Sequence, residues 1–464
     1  MSGGLVAVLP RGEAIKNFVY TGMLDELRDE VGVSVVSIVP NDSILALMRE
    51  RYGEVASLPE PREHWVVRLQ REILDLAHGR WIWSEAAKVR WQLRDHGARE
   101  SAGAMAKRVL KKTAARPFAN QRGLALLSKS DEVLSYRLRP DDAWGDYLRE
   151  RQPSLVFNGS HIHNKISTPV VRAAQWQGIH TATFLFSWDN LTSQGRMKPT
   201  YDSYLVWNHA IKADLLRMYP SASAERVHVT GTPQFDFHFR PEFRLGREEL
   251  CARIGADPAR PIVLYSTGMA AQMPHEPRIV EGVARALAQV RGVDRPQLVV
   301  RVYPKDLTGR FDELAAKKLP DVLFPRVDWE PNWLTPSLDD CSIYTSTLAH
   351  AALGINVAST VSLELCMFDK PVLNIGYDPP GVDVRPVSYA RYYTFDHYKP
   401  VVDSGAIEVV WSEDDLLPAL QTAFDDPGRR GAGRRRLLAS FFGDTLDGKS
   451  SDRVADVLRQ LVNA

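Results

Sequence analysis

Cysteine is scarce: Cys251, Cys341 and Cys366 are the only three in 464 residues. They share no metal-ligand spacing and are too few for a disulfide framework, so each is expected to be a small core residue in a reducing compartment. Long apolar runs are missing too. No stretch approaches the roughly 18 residues that a membrane span needs. The first apolar run ends after six residues at Pro10, too short for a signal peptide. These absences predict a cytoplasmic protein that meets a membrane only peripherally, at its inner face. One-sided charge is absent as well. The net charge of +1 argues against nucleic-acid binding and leaves room only for local basic patches.

What is present is alternation. Hydrophobic residues make up 44% and charged residues 25%, the balance of an ordinary globular chain. The length calls for two domains of roughly 200 residues each. "LVAVLP" (5–10), "VSVVSIVP" (33–40), "SLVFNGS" (154–160), "HTATFLFSW" (180–188), "SYLVWN" (203–208) and "RVHVTGT" (226–232) read as buried strands separated by helices or loops. After a Pro-punctuated stretch at mid-chain the rhythm restarts with "PIVLYSTG" (261–268), "QLVVRVYP" (297–304), "VLFPRV" (322–327), "CSIYTST" (341–347) and "KPVLNIGY" (370–377). The expected fold is α/β, two Rossmann-like doubly wound domains facing across a cleft, with domains 1–240 and 241–464 and a helical tail closing the second. Residues 61–126 break the pattern. They are helical by periodicity, carry Trp65, Trp81, Trp83 and Trp91, and hold 14 Lys/Arg against 6 Asp/Glu. Two readings stand: helices packed on the first domain, or a Trp/Arg surface suited to a lipid headgroup boundary. The run "GRRGAGRRR" (428–436) reads as a solvated loop and helix start, or as a phosphate or lipid contact.

Ligands of such folds lie beyond the carboxyl ends of the strands. The loops at those ends carry the candidate chemistry. "YSTGMA" (265–270) offers Ser266, Thr267 and Gly268, either as a phosphate-cradling turn or as a plain strand-to-helix turn; it has neither P-loop nor dinucleotide spacing. "RVYPKD" (301–306) alternates Arg301, Tyr303 and Lys305, which meet a diphosphate or carboxylate, or simply reach solvent. In "GINVASTVSLELCMFDKPVLNIGYD" (354–378), Ser359 and Thr360 offer hydroxyls and N–H groups to a phosphate at a helix start. Glu364, one helical turn on, is placed to accept from the two hydroxyls of a ribose, although Ser/Thr followed by Glu also serves as a helix cap. "FNGSHIHNK" (157–165) brings His161 and His163 to a strand end as a base or a hydroxyl contact. "SWDNLTSQG" (187–195) does the same for Asp189 and Asn190, with Asp189 as a base beside Trp188 or as an Asx-turn residue. The histidine pair lacks the helical metal spacing, and neither Asp339-Asp340 nor "RPDDAWGD" (139–146) forms a metal loop, so no metal is expected.

Several of these segments carry a resemblance. "ASTVSLELCMFDKPVL" is similar to the donor-binding segment of GT-B-fold glycosyltransferases, a small hydroxyl pair, a Glu and then Asp-Lys-Pro-Val. "VRVYP" resembles the Arg-x-His-Pro strand end of bacterial capsule, Kdo, sialyl and CDP-glycerol transferases, with Tyr303 where several of them have His. "VTGTPQFD" (229–236) resembles the turn that closes their N-terminal domain. At 187–195 the CDP-glycerol relatives have Trp-His-Gly, and Asp189 stands where they have the His.

The resemblance implies a metal-independent glycosyltransferase of surface-polysaccharide type, with no cofactor beyond its nucleotide-sugar donor; inversion is expected because one base suffices for it and no covalent nucleophile stands out. The second domain would hold the donor through Ser266, Thr267, Gly268, Arg301, Tyr303, Lys305, Ser359, Thr360 and Glu364. The first would hold a glycan or lipid-linked acceptor, with Asp189 or His161 as base and His163 and Asn190 as contacts. Three other functions fit the same scaffold: a CDP-glycerol-type glycerophosphotransferase, a non-hydrolysing sugar-nucleotide epimerase, and a non-catalytic nucleotide-sugar-binding protein.

Overall fold

Strand Leu5–Leu9 (β1) is buried along its whole length, as a strand must be when helices cover both faces of a parallel sheet. The computed structural model describes residues 3–38, 41–59, 62–99, 101–330 and 334–464, in two units, 1–234 with 449–464, and 235–448. In the first unit β1 pairs with Val33–Ser37 (β2), followed by Val55–Ser57 (β3), Leu155–Asn158 (β4), His180–Phe184 (β5), Ser203–Val206 (β6) and Val227–Val229 (β7). All pairings are parallel, in the order β3-β2-β1-β4-β5-β6-β7. The order reverses between β1 and β4. Phe18 wedges edge-on against Phe157 and Phe184 behind these central strands.

The helical segment runs further than the charge surplus of 61–126 suggests. Helices Trp65–Ile82, Glu85–Ala98, Ala102–Ala115, Gln121–Arg137 and Ala143–Arg151 lie between β3 and β4. Trp81 and Trp91 pack on its small core with Leu74, Ala77 and Leu124, whereas Trp65 and Trp83 are exposed. Asp131, fully buried, joins the segment to the sheet layer. It accepts from Arg71 Nε at 2.5 Å and from Arg172 Nη2, on helix Asn164–Trp176, at 2.8 Å. Burial alone would push its carboxyl up, but the two guanidiniums outweigh that and hold it below the usual range. The last helix, Ser450–Asn463, contacts Met23–Val31 and belongs to the first unit, not to the second as the linear division had it; Arg459 pairs there with Glu30.

The second unit repeats the plan with Ile262–Ser266 (β8), Gln297–Arg301 (β9), Val322–Leu323 (β10), Ala351–Asn356 (β13), Val372–Ile375 (β14) and Glu408–Val410 (β15). They lie parallel in the order β10-β9-β8-β13-β14-β15, and Trp329–Glu330 (β11) with Thr335–Pro336 (β12) forms a separate two-stranded ladder. The reversal falls between β8 and β13. One expected strand is absent: 341–347 lies inside helix Leu338–His350. Its β-branched composition misleads, because the helix start upstream decides. Ser337 caps Asp340 N–H and two aspartates occupy the first turn. The basic run 428–436 also differs from expectation. Arg434 is buried and bonds Asp369 and the Pro427 carbonyl, and only its neighbours are solvated.

Asp131→Asn should destabilise the first unit by about 3–5 kcal/mol, since it leaves Arg71 and Arg172 buried beside a neutral amide. Urea unfolding followed by tryptophan fluorescence measures it; a loss near zero would show the pairs to be dispensable.

Candidate functional site

At the reversal point of the second sheet, the loops after β8 and β13 lie side by side, with Tyr265 in register with Ile355. The loop after β13 is held from beneath. Asn356 Oδ1 accepts from Ser359 N–H (3.1 Å), Ser362 Oγ (3.1 Å) and Asn374 Nδ2 (3.1 Å), and Tyr398 Oη closes the network on Asn374 Oδ1 at 2.6 Å. Ala358 sits in the left-handed region with φ +41°, a conformation that persists only where surrounding bonds over-determine it. A Cβ at Gly354 would stand 2.1 Å from Leu365 Cδ1 of helix Val361–Met367, so a larger residue there would have to displace that side chain. Thr360 occupies the N-cap position without a side-chain cap bond, and Ser359 Oγ accepts from Val361 N–H at 3.3 Å, so a hydroxyl of this segment does help to cap the helix start. Ser359 and Thr360 are both partly exposed at the loop.

Glu364 stands differently from expectation. Its Oε2 lies 2.9 Å from His238 Nε2, and the pair is buried. Tyr344, next to Glu364, has its hydroxyl pushed far up, first by burial and then by that carboxylate. His238 stacks on Phe235 at 5.9 Å, and Phe368 presents its ring at 5.3 Å. Glu364 is therefore engaged inside the unit by His238, not an open carboxylate. Sequence reading missed His238 because "FDFHFR" looks like linker; the one available signal was a lone imidazole among aromatics.

The loop after β8 has its polar groups partly committed. Gly268 N–H donates to Glu276 Oε2 at 2.8 Å, so that amide is not offered to a phosphate as expected. A Cβ at Gly268 would meet Met273 Sδ at 2.1 Å, so a larger residue there would have to push that side chain aside. Thr267 Oγ1 accepts from Tyr303 N–H at 2.8 Å and ties the loop to the end of β9. Ser266 is the last residue of β8 and pairs with Arg301. Beneath them, Arg310 bonds Glu276 (2.9 Å), the Gly268 carbonyl (2.8 Å) and Asp306 (2.5 Å). Burial raises the Glu276 carboxyl to about 7 against the pull of that guanidinium. Arg301 is a correction. Its guanidinium is bidentate on buried Asp340 (3.2 and 2.5 Å) and lies over the Tyr344 ring, so its charge is met inside the unit. Tyr303 is partly buried on the turn beyond, and Lys305 is exposed.

In the first unit, His161 opens a short 3-10 turn directly after β4, beside the reversal point of that sheet. It is 5% exposed, and burial lowers its imidazolium to a pKa of about 4, opposed by the Phe184 carbonyl and by Asp189. It is a neutral imidazole whose Nδ1 lies 3.4 Å from both the Phe184 carbonyl and the Phe186 amide. Asp189 is partly buried; its carboxylate accepts from Ser193 Oγ (2.7 Å) and Asn190 Nδ2 (3.3 Å) and makes no helix-cap bond. Asn190 Oδ1 in turn accepts from Ser187 N–H at 2.8 Å. The side chain of His163 lies outside the described residues.

His161 and Asn190 line a cavity of about 640 Å³ between the helical segment and the sheet layer of this unit; Asp189 does not. Among the described residues no group of three or more His, Cys, Asp or Glu is placed to hold a metal ion. Among them, too, no helix is long and apolar enough to cross a membrane.

No protein-family model and no curated protein matches the chain. Solved structures do. UDP-GlcNAc 2-epimerase from Neisseria meningitidis bound to UDP-GlcNAc is similar at 9% identity and TM-score 0.55, over 98% of this chain and 100% of that one. UDP-GlcNAc 2-epimerase from Methanocaldococcus jannaschii is similar at 10% and 0.55, over 98% and 99%. UDP-N-acetylglucosamine 2-epimerase from Rickettsia bellii is similar at 10% and 0.56, over 100% and 98%. At such identities the likeness speaks for the fold alone: the chain has a GT-B-type fold of two Rossmann-like domains.

Proposed function

We propose that this protein acts on a nucleotide sugar and transfers its sugar to a second substrate. What carries the reading is that each parallel sheet presents polar loops at the one place where its strand order reverses, the position at which such sheets hold ligands. The second unit contributes the hydroxyls of Ser266, Thr267, Ser359 and Thr360 for the donor diphosphate, with Lys305 exposed nearby in sequence. Glu364, held by His238 and beside Tyr344, backs the loop from inside the unit. The first unit contributes a cavity of its own, which a second substrate requires and an isomerisation does not.

His161 is the base of this scheme. A neutral imidazole accepts the proton of the acceptor hydroxyl as that oxygen attacks the anomeric carbon and the bond to the diphosphate breaks. One base suffices for an inverting displacement. Asp189, engaged by Ser193 and Asn190, adds negative charge that favours the imidazolium as it forms.

A second reading has its own support. Likeness to UDP-GlcNAc 2-epimerases along the whole chain favours a non-hydrolysing epimerase acting on the donor alone. Incubation with single nucleotide sugars, followed by NMR, separates the two: C2 inversion without any acceptor means epimerase, and stability of the sugar until an acceptor is added means transferase. Binding with no turnover of any kind would leave a nucleotide-sugar-binding protein.

Glu364→Ala should weaken nucleotide binding about tenfold by loosening the loop that the carboxylate backs. Calorimetry with UDP, GDP, CMP, CDP and dTDP measures it; unchanged affinity for the nucleotide that binds would remove Glu364 from the site. His161→Gln should abolish turnover with donor binding intact, whereas Asp189→Asn should retain part of it; full turnover in His161→Gln would move the base to Asp189.

His161 also predicts a pH effect on stability. Its folded pKa of about 4 lies below the ordinary histidine value, so the unfolded chain takes up the proton first. The contribution is whole above about pH 6.5 and is lost as pH falls toward 4, up to ~3 kcal/mol. Urea unfolding between pH 7 and 4.5 should show this loss in the wild type and a shallower one in His161→Gln; parallel curves would mean that His161 titrates normally.

A further inference from the structure

The cavity that His161 lines is cationic beyond what its structure uses. Ten lysine and arginine side chains face it against three carboxylates, Glu63, Glu72 and Asp75. All three carboxylates are already engaged. Glu63 holds Arg71 and Glu72 holds Lys111. Asp75 accepts from Lys198 Nζ at 2.7 Å and Arg196 N–H at 3.0 Å, so closely packed that a Cβ at Gly195 would lie 2.4 Å from its oxygen.

Among the described residues, Arg68, Arg90, Arg94, Lys107 and Lys165 line the same cavity with neither a hydrogen bond nor an ion pair from their side chains. Arg196, 7% exposed, spends Nη1 on the Met218 carbonyl and leaves Nε without a partner. Of the five cations without a partner, Arg90 is half-buried and the others are exposed; gathering like charges around one cavity raises the energy of the empty protein. An anion entering it gains that energy back. The local effects are visible. Burial, and then the neighbouring Arg94, lower the Arg90 guanidinium to about 10. His78 behind the cavity is held neutral by burial and by Arg196, Arg90 and Lys198.

We infer that this cavity binds a phosphoryl group, carried by the acceptor whose hydroxyl His161 deprotonates. Guanidinium forks match phosphoryl oxygens in geometry, and several of them suit a mono- or diphosphate better than a single carboxylate. The inference rests on the acceptor side of the transferase reading. Two sources share this chemistry, a soluble sugar phosphate and a lipid-linked one. The helix that brings Lys107 and Lys111 to the cavity, Ala102–Ala115, also exposes Val109 and Leu110.

Inorganic pyrophosphate is the probe for the full chain. Titration calorimetry should show binding to the wild type that weakens steeply with salt and falls at least ~tenfold in Arg94→Gln and in Lys107→Gln, both exposed and safe for folding. Arg435→Gln, a surface arginine of the second unit, should change nothing. No binding, or equal affinity in all three variants, overturns the inference. UDP is titrated in parallel. UDP binding that is indifferent to Arg94→Gln keeps the two sites separate; UDP binding lost with it, and competed by pyrophosphate, would make the cavity the nucleotide's site and overturn an acceptor role. Pyrophosphate binding with no nucleotide bound would instead sink the function while leaving the anion site standing. Co-sedimentation with phosphatidylcholine vesicles, with and without a polyprenyl phosphate, assigns the source: lipid-dependent pelleting that fails in Arg94→Gln marks a lipid headgroup, and pelleting in neither case marks a soluble phosphate.

Discussion

Parallel pairing is the constraint on which the rest of this molecule depends. Every strand pair of the seven- and six-stranded sheets is parallel, so within each sheet all carboxyl ends share one edge and each connection must cross back over a face. Loops far apart in sequence therefore meet where the order reverses. That is how Ser266–Gly268 comes to lie beside 356–364, and how His161 comes to stand at the centre of the first sheet. Local sequence only decorates those loops. Their adjacency follows from topology.

Charge is handled in two opposite ways. Arg301 with Asp340, Arg310 with Glu276, His238 with Glu364, and Asp131 with Arg71 and Arg172 are buried pairs whose partners come from elsewhere in the chain. Removing one partner from such a pair exposes the cost of the other. In the helical segment of the first unit, Arg68, Arg90, Arg94 and Lys107 face a cavity with no acid assigned to them. A fold that neutralises its buried guanidiniums elsewhere leaves these, most of them exposed, unmatched, which is what the anion-binding proposal rests on.

The sequence was most legible where periodicity is strongest. Runs such as "LVAVL" and "VLNI" became strands within a few residues of where hydrophobicity placed them, and the polar break at 359–364 did fall on the loop and first turn after a strand. Partnership was not legible. Arg301 at a strand end looks available until Asp340, on a helix whose β-branched composition suggests a strand, closes on it. Glu364 looks open until His238, 126 residues earlier, is placed against it. Surplus charge at 61–126 was plain, but nothing local says which of those cations will be paired and which will face a cavity. Long-range contacts decide both.

His161 and that cavity complement each other in a way neither shows alone. In the empty protein burial keeps the imidazole neutral and makes it a weak base. A phosphoryl group gripped by Arg90 and Arg94 would bring negative charge into the cavity that His161 lines, and a nearby anion favours the imidazolium. The ring would then accept a proton more readily when an acceptor is in place than when the cavity holds water. Proton withdrawal would thereby be tied to occupancy, and hydrolysis of the donor by stray water would lack its base. Binding energy spent on a remote charged group would appear as chemistry at the hydroxyl, which is how a site raises turnover and not merely affinity.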